Sequence, residues 1–130
     1  MTAPITVLIC DDDARICAAL EAVIDSQPDL VLAAMAHDST RAIALAREHR
    51  PHLAIVDVRM PGLGPTAVRG IREHAPDTKI LAFSAQSREE AADAMLQAGA
   101  DHYLPKGTSL SEILATIRRL ARSGTDQFPV

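Results

Sequence analysis

The 130-residue chain has the size of one domain and is long enough to bury a core without disulfide or metal staples. With 48% hydrophobic, 23% charged and only 2% aromatic residues it is an ordinary globular composition whose core must be aliphatic. A formal charge of −4 with no run of Lys and Arg argues against nucleic acid as a direct ligand, and no apolar stretch reaches the length of a membrane span.

The N-terminus, Met1-Thr2-Ala3-Pro4, has no charged segment ahead of a long apolar run, so no signal peptide is read and a cytoplasmic protein is expected. Ile5–Cys10 is the first strand-like run, and Ile16, Leu20, Val23 and Ile24 then fall at helical spacing until Pro28. Cys10 and Cys17, in these two segments, read as buried or half-buried thiols of a reducing compartment. The second strand, Leu30–Met35, has the weakest β-propensity because of its alanines. A helix from Ser39 or Thr40 to His49 follows and stops before Pro51.

The third strand is Leu53–Val56, with a helix over Thr66–His74 that ends before Pro76. Lys79–Phe83 is the fourth strand; its helix covers Arg88–Ala98 and closes on Gly99. His102–Leu104 is the fifth strand. In the last helix Leu110, Ile113, Leu114, Ile117 and Leu120 form one stripe, with Ser109 or Thr108 as N-cap and Glu112 completing a capping-box pattern. The basic residues Arg118, Arg119 and Arg122 near its end read as complements of the helix dipole. Most of the strands are continuously apolar, which suits strands covered on both faces. Five β–α units in sequence predict an α/β domain with a doubly wound, five-stranded parallel sheet over residues 1–122. Ser123–Val130 loses the periodicity and reads as a tail or the start of a linker.

In such a sheet, ligands collect at the carboxyl ends of the strands. There stand Asp11-Asp12-Asp13, Asp57, Ser84 and, just past the fifth strand, Lys106. Taken singly, each is an ordinary cap or turn residue, and Asp13 reads as a helix N-cap. Together, acidic groups crowded at one edge repel one another unless a cation balances them. Few, hard oxygen ligands suit Mg²⁺, completed by water and a substrate phosphate. A carboxylate can then attack phosphorus and form an aspartyl phosphate, with metal and Lys106 drawing off charge. Ser84 would donate a hydrogen bond to a phosphoryl oxygen, and the small Ala85 leaves access. The five histidines (His37, His49, His52, His74 and His102) show no metal-ligand spacing and read as surface or loop residues.

The pieces Val7-Leu8-Ile9-Cys10-Asp11-Asp12, Val56-Asp57-Val58-Arg59-Met60-Pro61-Gly62, Phe83-Ser84-Ala85 and Ala98-Gly99-Ala100-Asp101 through Tyr103-Leu104-Pro105-Lys106 occur in this order. With them the chain resembles, over essentially its whole length, the receiver domains of two-component response regulators. That resemblance implies a flavodoxin-like (β/α)5 fold with strand order 2-1-3-4-5. It implies Asp57 as phosphoacceptor, Asp12 as direct Mg²⁺ ligand, Asp11 acting through water, and Arg59 lending its backbone carbonyl. Ser84 and Lys106 become the switch hydroxyl and the phosphate-pairing lysine, and Tyr103 the switch aromatic that swings inward. The donor would be a sensor histidine kinase. A partner or a second copy would dock on the fourth helix, fifth strand and fifth helix, or on the first and fifth helices. Pro61-Gly62-Leu63 and Lys106-Gly107 resemble receivers that precede a helix-turn-helix output domain, so the tail reads as a cut linker or a natural end.

Three departures from the family pattern stand out. Leu63-Gly64-Pro65 replaces a common Asp-Gly pair, which predicts an altered loop with intact chemistry. Gly107 stands where proline is common, so a trans Lys106–Gly107 bond is expected. Arg59 and Gln86 occupy the two variable positions that tune the lifetime of the aspartyl phosphate. Two other readings are weaker. A receiver-shaped protein-binding module without phosphorylation is disfavoured because every site position is filled competently. A phosphohydrolase using Asp11 and Asp13 lacks the following Thr or Val and a cap domain.

Overall fold

The computed structural model describes residues 3–85 and 89–126. Its elements alternate without exception: β1 (Ile5–Cys10), α1 (Ala14–Asp25), β2 (Leu30–Ala36), α2 (Ser39–His49), β3 (Leu53–Val56), α3 (Gly64–His74), β4 (Lys79–Ser84), α4 (Glu89–Ala98), β5 (His102–Pro105) and α5 (Leu110–Asp126). All strand pairs are parallel, in the order β2-β1-β3-β4-β5, as expected. Every residue of β3 is buried and all but one of β1 and of β4. Continuous apolarity is therefore the signature of coverage on both faces here.

Side chains alternate across the sheet and build two cores. On one face α1 and α5 press Cys17, Leu20, Ile24, Ile113, Leu114, Ile117 and Leu120 against Val7, Ile9, Ile55 and Leu81. On the other, α2, α3 and α4 cover Leu8, Ala54, Val56, Ile80 and Ala82. The interior is aliphatic, as the composition requires. Each fully buried Leu or Ile contributes about 1.5–3 kcal/mol.

Element ends follow local chemistry. Asp13 caps α1 by accepting from the backbone N–H of Arg15 at 2.9 Å, and these donors hold its carboxyl below the usual range. Asp38 caps α2 by accepting from Arg41 at 2.7 Å. Ser109 accepts from the N–H of Glu112 at 3.3 Å at the head of α5. α3 begins at Gly64 rather than Thr66, because Pro65 fits its first turn. α5 runs to Asp126, beyond Arg122, where the apolar periodicity ends. Arg118 thus lies inside that helix instead of near its end. It does not serve the dipole. It forks onto Asp29 at 2.8 and 2.9 Å and onto Gln27 at 2.7 Å, tying α5 to the start of β2. No helix among the described residues is long and apolar enough to cross a membrane.

Candidate phosphoacceptor site

The strand order reverses between β1 and β3, since the chain runs from β1 outward to β2 and then returns past it. A crevice opens at the carboxyl ends of strands at such a switch point. Asp11 follows β1 and Asp57 follows β3, and the ladder joins them: the N–H of Asp57 donates to the carbonyl of Cys10 at 2.9 Å. Both are buried, 2% and 5% exposed, whereas Asp12 stands exposed at the mouth. One carboxylate oxygen from each of Asp11, Asp12 and Asp57 lies within 4.8 Å of the other two.

The other side chains come from the far side of the sheet. Ala82 is level with Val56, so Ser84 ends β4 one strand over from Asp57, and it is buried. The backbone carbonyl of Ser84 accepts from the backbone N–H of Lys106 at 2.8 Å, which fixes the point from which the lysine departs. Its stem reaches back across the strand ends. Nζ lies 2.8 Å from Asp11 Oδ2 and 3.4 Å from Asp57 Oδ1. The Lys106–Gly107 bond is trans, as the missing proline predicted; among the described residues no peptide is cis.

Burial pushes the Asp57 carboxyl above its ordinary range, and the neighbouring Asp11 charge adds to this; Lys106 opposes both. Burial also works against the Lys106 charge, but its hydrogen bond to Asp11 and the charge of Asp57 outweigh it and hold its proton more tightly than usual. Three carboxylates against one ammonium leave the pocket with excess negative charge. This donor set, all hard oxygen, fits a small divalent cation that keeps part of its water shell.

The loop after Asp57 is held tightly. Pro61 accepts from the N–H of Ser39 at 2.9 Å, and the N–H of Gly64 donates to the carbonyl of Val58 at 2.9 Å. Gly62 has φ +85 and lies so close to Ser39 that a Cβ would stand 1.8 Å from its hydroxyl oxygen. Arg59 lies exposed in the turn after Asp57. Gln86, expected to flank the site, lies outside the described residues.

Tyr103 is level with Ala82 on β5 and packs inward against the core under α4. Its hydroxyl is buried and has no hydrogen-bond partner among the described residues. A buried hydroxyl without a partner carries a desolvation cost of about 1–3 kcal/mol. Tyr103→Phe is therefore expected to raise stability, by about 1 kcal/mol. Urea denaturation checks this, and a loss of stability would mean that the hydroxyl is hydrogen-bonded in the folded state.

Two contributors escaped the sequence reading. His37 is exposed and in a loop, as the sequence leads one to expect, and from the bend after β2 it places Nδ1 3.0 Å from the carbonyl oxygen of Asp11. Cys17 donates its thiol to the same oxygen at 3.2 Å. Burial raises the pKa of both Cys10 and Cys17, so neither is an activated thiol. Neither interaction has a motif; only the β1–β2 register, with Cys10 beside Ala36, brings His37 to this edge.

Residues 7–118 match the family described as response regulator receiver domain. Response regulator MprA of Mycobacterium sp. (strain KMS) is 35% identical over 128 residues, covering 97% of this chain and 55% of MprA. Response regulator GacA of Pseudomonas protegens is 31% identical over 115 residues, covering 88% of this chain and 54% of GacA. The chain thus spans about half the length of the curated relatives it matches. Among solved structures, the response regulator domain of Thermotoga maritima CheB superposes with a TM-score of 0.82 at 31% identity, over 92% of this chain and 97% of that one. A fold wound β2-β1-β3-β4-β5, an acidic crevice at its switch point and relatives of this similarity agree: the chain belongs to the receiver domains of two-component response regulators.

Proposed function

We propose that Asp57 accepts a phosphoryl group from a phosphohistidine of a sensor histidine kinase. The observation that carries this reading is the Lys106 ammonium seated against two buried carboxylates, Asp11 and Asp57, within a three-carboxylate cluster. An oxygen of Asp57 attacks phosphorus while the bond to the donor imidazole nitrogen breaks, giving an aspartyl phosphate. Lys106 pairs with one phosphoryl oxygen, and Ser84 donates its hydroxyl to another. Asp12, Asp57 and the Arg59 carbonyl would hold Mg²⁺, with Asp11 acting through water, and the bound ion would draw charge off the transferring oxygens.

The same groups serve hydrolysis of the aspartyl phosphate, with Arg59 and Gln86 setting its lifetime. The domain thus catalyses only its own phosphorylation and dephosphorylation and turns over no metabolic substrate. Phosphorylation biases a two-state equilibrium that Ser84 and Tyr103 report to the surface of α4, β5 and α5, or to α1 and α5. A partner or second copy docks there. The setting is cytoplasmic and the output is transcription, in keeping with response regulators of which this chain spans about half the length.

Incubation with acetyl phosphate and Mg²⁺ should add the mass of one phosphoryl group to the intact chain. Asp57→Asn should stay unlabelled. Equal labelling of both chains would refute the assignment, as would no labelling of the wild type.

A further inference from the structure

We propose that His37 is a positioning residue for the metal-binding carboxylates. Its ring holds the Asp11–Asp12 peptide from outside and sets the direction in which Asp12 presents its carboxylate. This rests on reading Asp11, Asp12 and Asp57 as a divalent-metal site.

The register delivers His37 to this place. The N–H of Asp11 donates to the carbonyl of Ala36 at 3.0 Å, so the residue after Ala36 stands beside the turn after β1. Nδ1 of His37 is 3.0 Å from the Asp11 carbonyl oxygen. A carbonyl only accepts, so Nδ1 carries the proton and donates. The thiol of Cys17 donates to the same oxygen from α1 at 3.2 Å. Two side chains, one from the bend after β2 and one from α1, therefore converge on one peptide oxygen, filling both of its lone pairs. A thiol is a weak donor, so the imidazole carries most of the restraint.

Asp12 gains from this clamp more than Asp11 does. The Asp11 carboxylate is already fixed at both oxygens, by the N–H of Asp13 at 2.9 Å and by Lys106 at 2.8 Å. Asp12 is exposed and lies outside both β1 and α1, so its peptide plane is what orients it. The peptide is planar, and pinning its oxygen pins that plane. His37 does not act as a ligand: the carboxylate group that could hold a metal among the described residues is Asp11, Asp12 and Asp57. It acts through the backbone, as partners behind metal ligands do.

The test is Mg²⁺ binding to the whole chain by isothermal titration calorimetry, with thermal unfolding in Mg²⁺-free buffer as a check that each variant is folded. His37→Ala is expected to weaken Mg²⁺ binding about fivefold. The Mg²⁺ concentration that gives half-maximal labelling by acetyl phosphate should rise by the same factor. His37→Asn should restore binding to within about twofold, because its side-chain amide nitrogen replaces Nδ1 as donor. An unchanged affinity in His37→Ala overturns the proposal and leaves the phosphoacceptor reading standing. So does equal weakening in the Ala and Asn variants, or tighter binding in both, which would make the ring's role electrostatic or steric. A wild-type chain that binds no Mg²⁺ removes the metal site itself, and the proposal with it.

Discussion

Lys106→Met is expected to destabilise the unphosphorylated domain by about 3 kcal/mol at neutral pH in Mg²⁺-free buffer. Methionine keeps the stem's packing and removes only the charge. What remains is two buried carboxylates, Asp11 and Asp57, facing each other without the ammonium that lies 2.8 and 3.4 Å from them. Breaking a buried ion pair on one side leaves an uncompensated charge, which costs more than the pair contributed. Labelling by acetyl phosphate should also slow, by about 100-fold, because a fixed positive charge aimed at the transferring oxygens is lost. Saturating Mg²⁺ should restore part of the stability by binding the folded state alone. A melting temperature equal to the wild type's would show that the pocket does not depend on Lys106 for its charge balance.

Asp57→Asn should shift stability the other way. Burial holds the Asp57 carboxyl above its ordinary value of 3.8, so the folded state binds this proton more readily than the unfolded chain does. The stability tied to Asp57 is then complete below 3.8 and is lost as pH rises through the elevated folded value. At neutral pH the charged carboxylate is a liability to the unphosphorylated fold, and Asn removes it. Asp57→Asn should therefore unfold at higher urea concentration than the wild type at pH 7, and the gap should close as the buffer is made acidic. For Lys106 the linkage lies at the other end. Its contribution is full below 10.5 and is lost as pH rises through its higher folded value. The Asp57 shift marks a carboxylate that lowers the stability of the fold, and the Lys106 shift marks an ammonium that offsets part of that cost.

Much of this was legible in the chain because the sheet's physics is simple. Continuous apolar runs such as Leu53–Val56 suit strands covered on both faces, and five strand-length apolar runs alternating with helical stripes leave few topologies. Asp11, Asp57, Ser84 and Lys106 stand where strands end, so the fold itself brings three strand ends and the reach of Lys106 into one crevice. His37 was not legible. Its partner is a backbone carbonyl, and a backbone carbonyl leaves no residue-type signal at any spacing. Arg118 was misread for a related reason. The helix outlasted its apolar stripe, so a residue placed near a terminus proved to be internal, with a long-range carboxylate partner. The inward packing of Tyr103, with its hydroxyl stranded, depends on the space beneath α4, which no local pattern encodes.

The loop departure at Leu63-Gly64-Pro65 leads to the remaining large effect. Gly64→Ala is expected to destabilise the domain by about 2–3 kcal/mol and to slow labelling of Asp57. A Cβ on residue 64 would stand 2.4 Å from the carbonyl oxygen of Asp57, 2.7 Å from Cα of Val58 and 2.9 Å from its carbonyl oxygen. These are backbone atoms, so no rotamer change relieves them; the chain beside Asp57 must move. The N–H of Gly64 also donates to Val58 at 2.9 Å, and retreat of the helix would stretch that bond. The glycine is required by close approach alone, since its φ is not in the left-handed region. The neighbouring Leu63 does adopt φ +72 while 62% exposed, so the strain of the turn sits on Leu63 and the crowding on Gly64. Leu63→Gly should consequently stabilise the chain, by about 1 kcal/mol, where Gly64→Ala destabilises it. Gly107→Ala is the control, because a Cβ there meets nothing within 4 Å. Equal melting temperatures for Gly64→Ala and Gly107→Ala would show that the turn after Asp57 yields freely, and that Asp57 is not held by the close seat of α3 against its carbonyl.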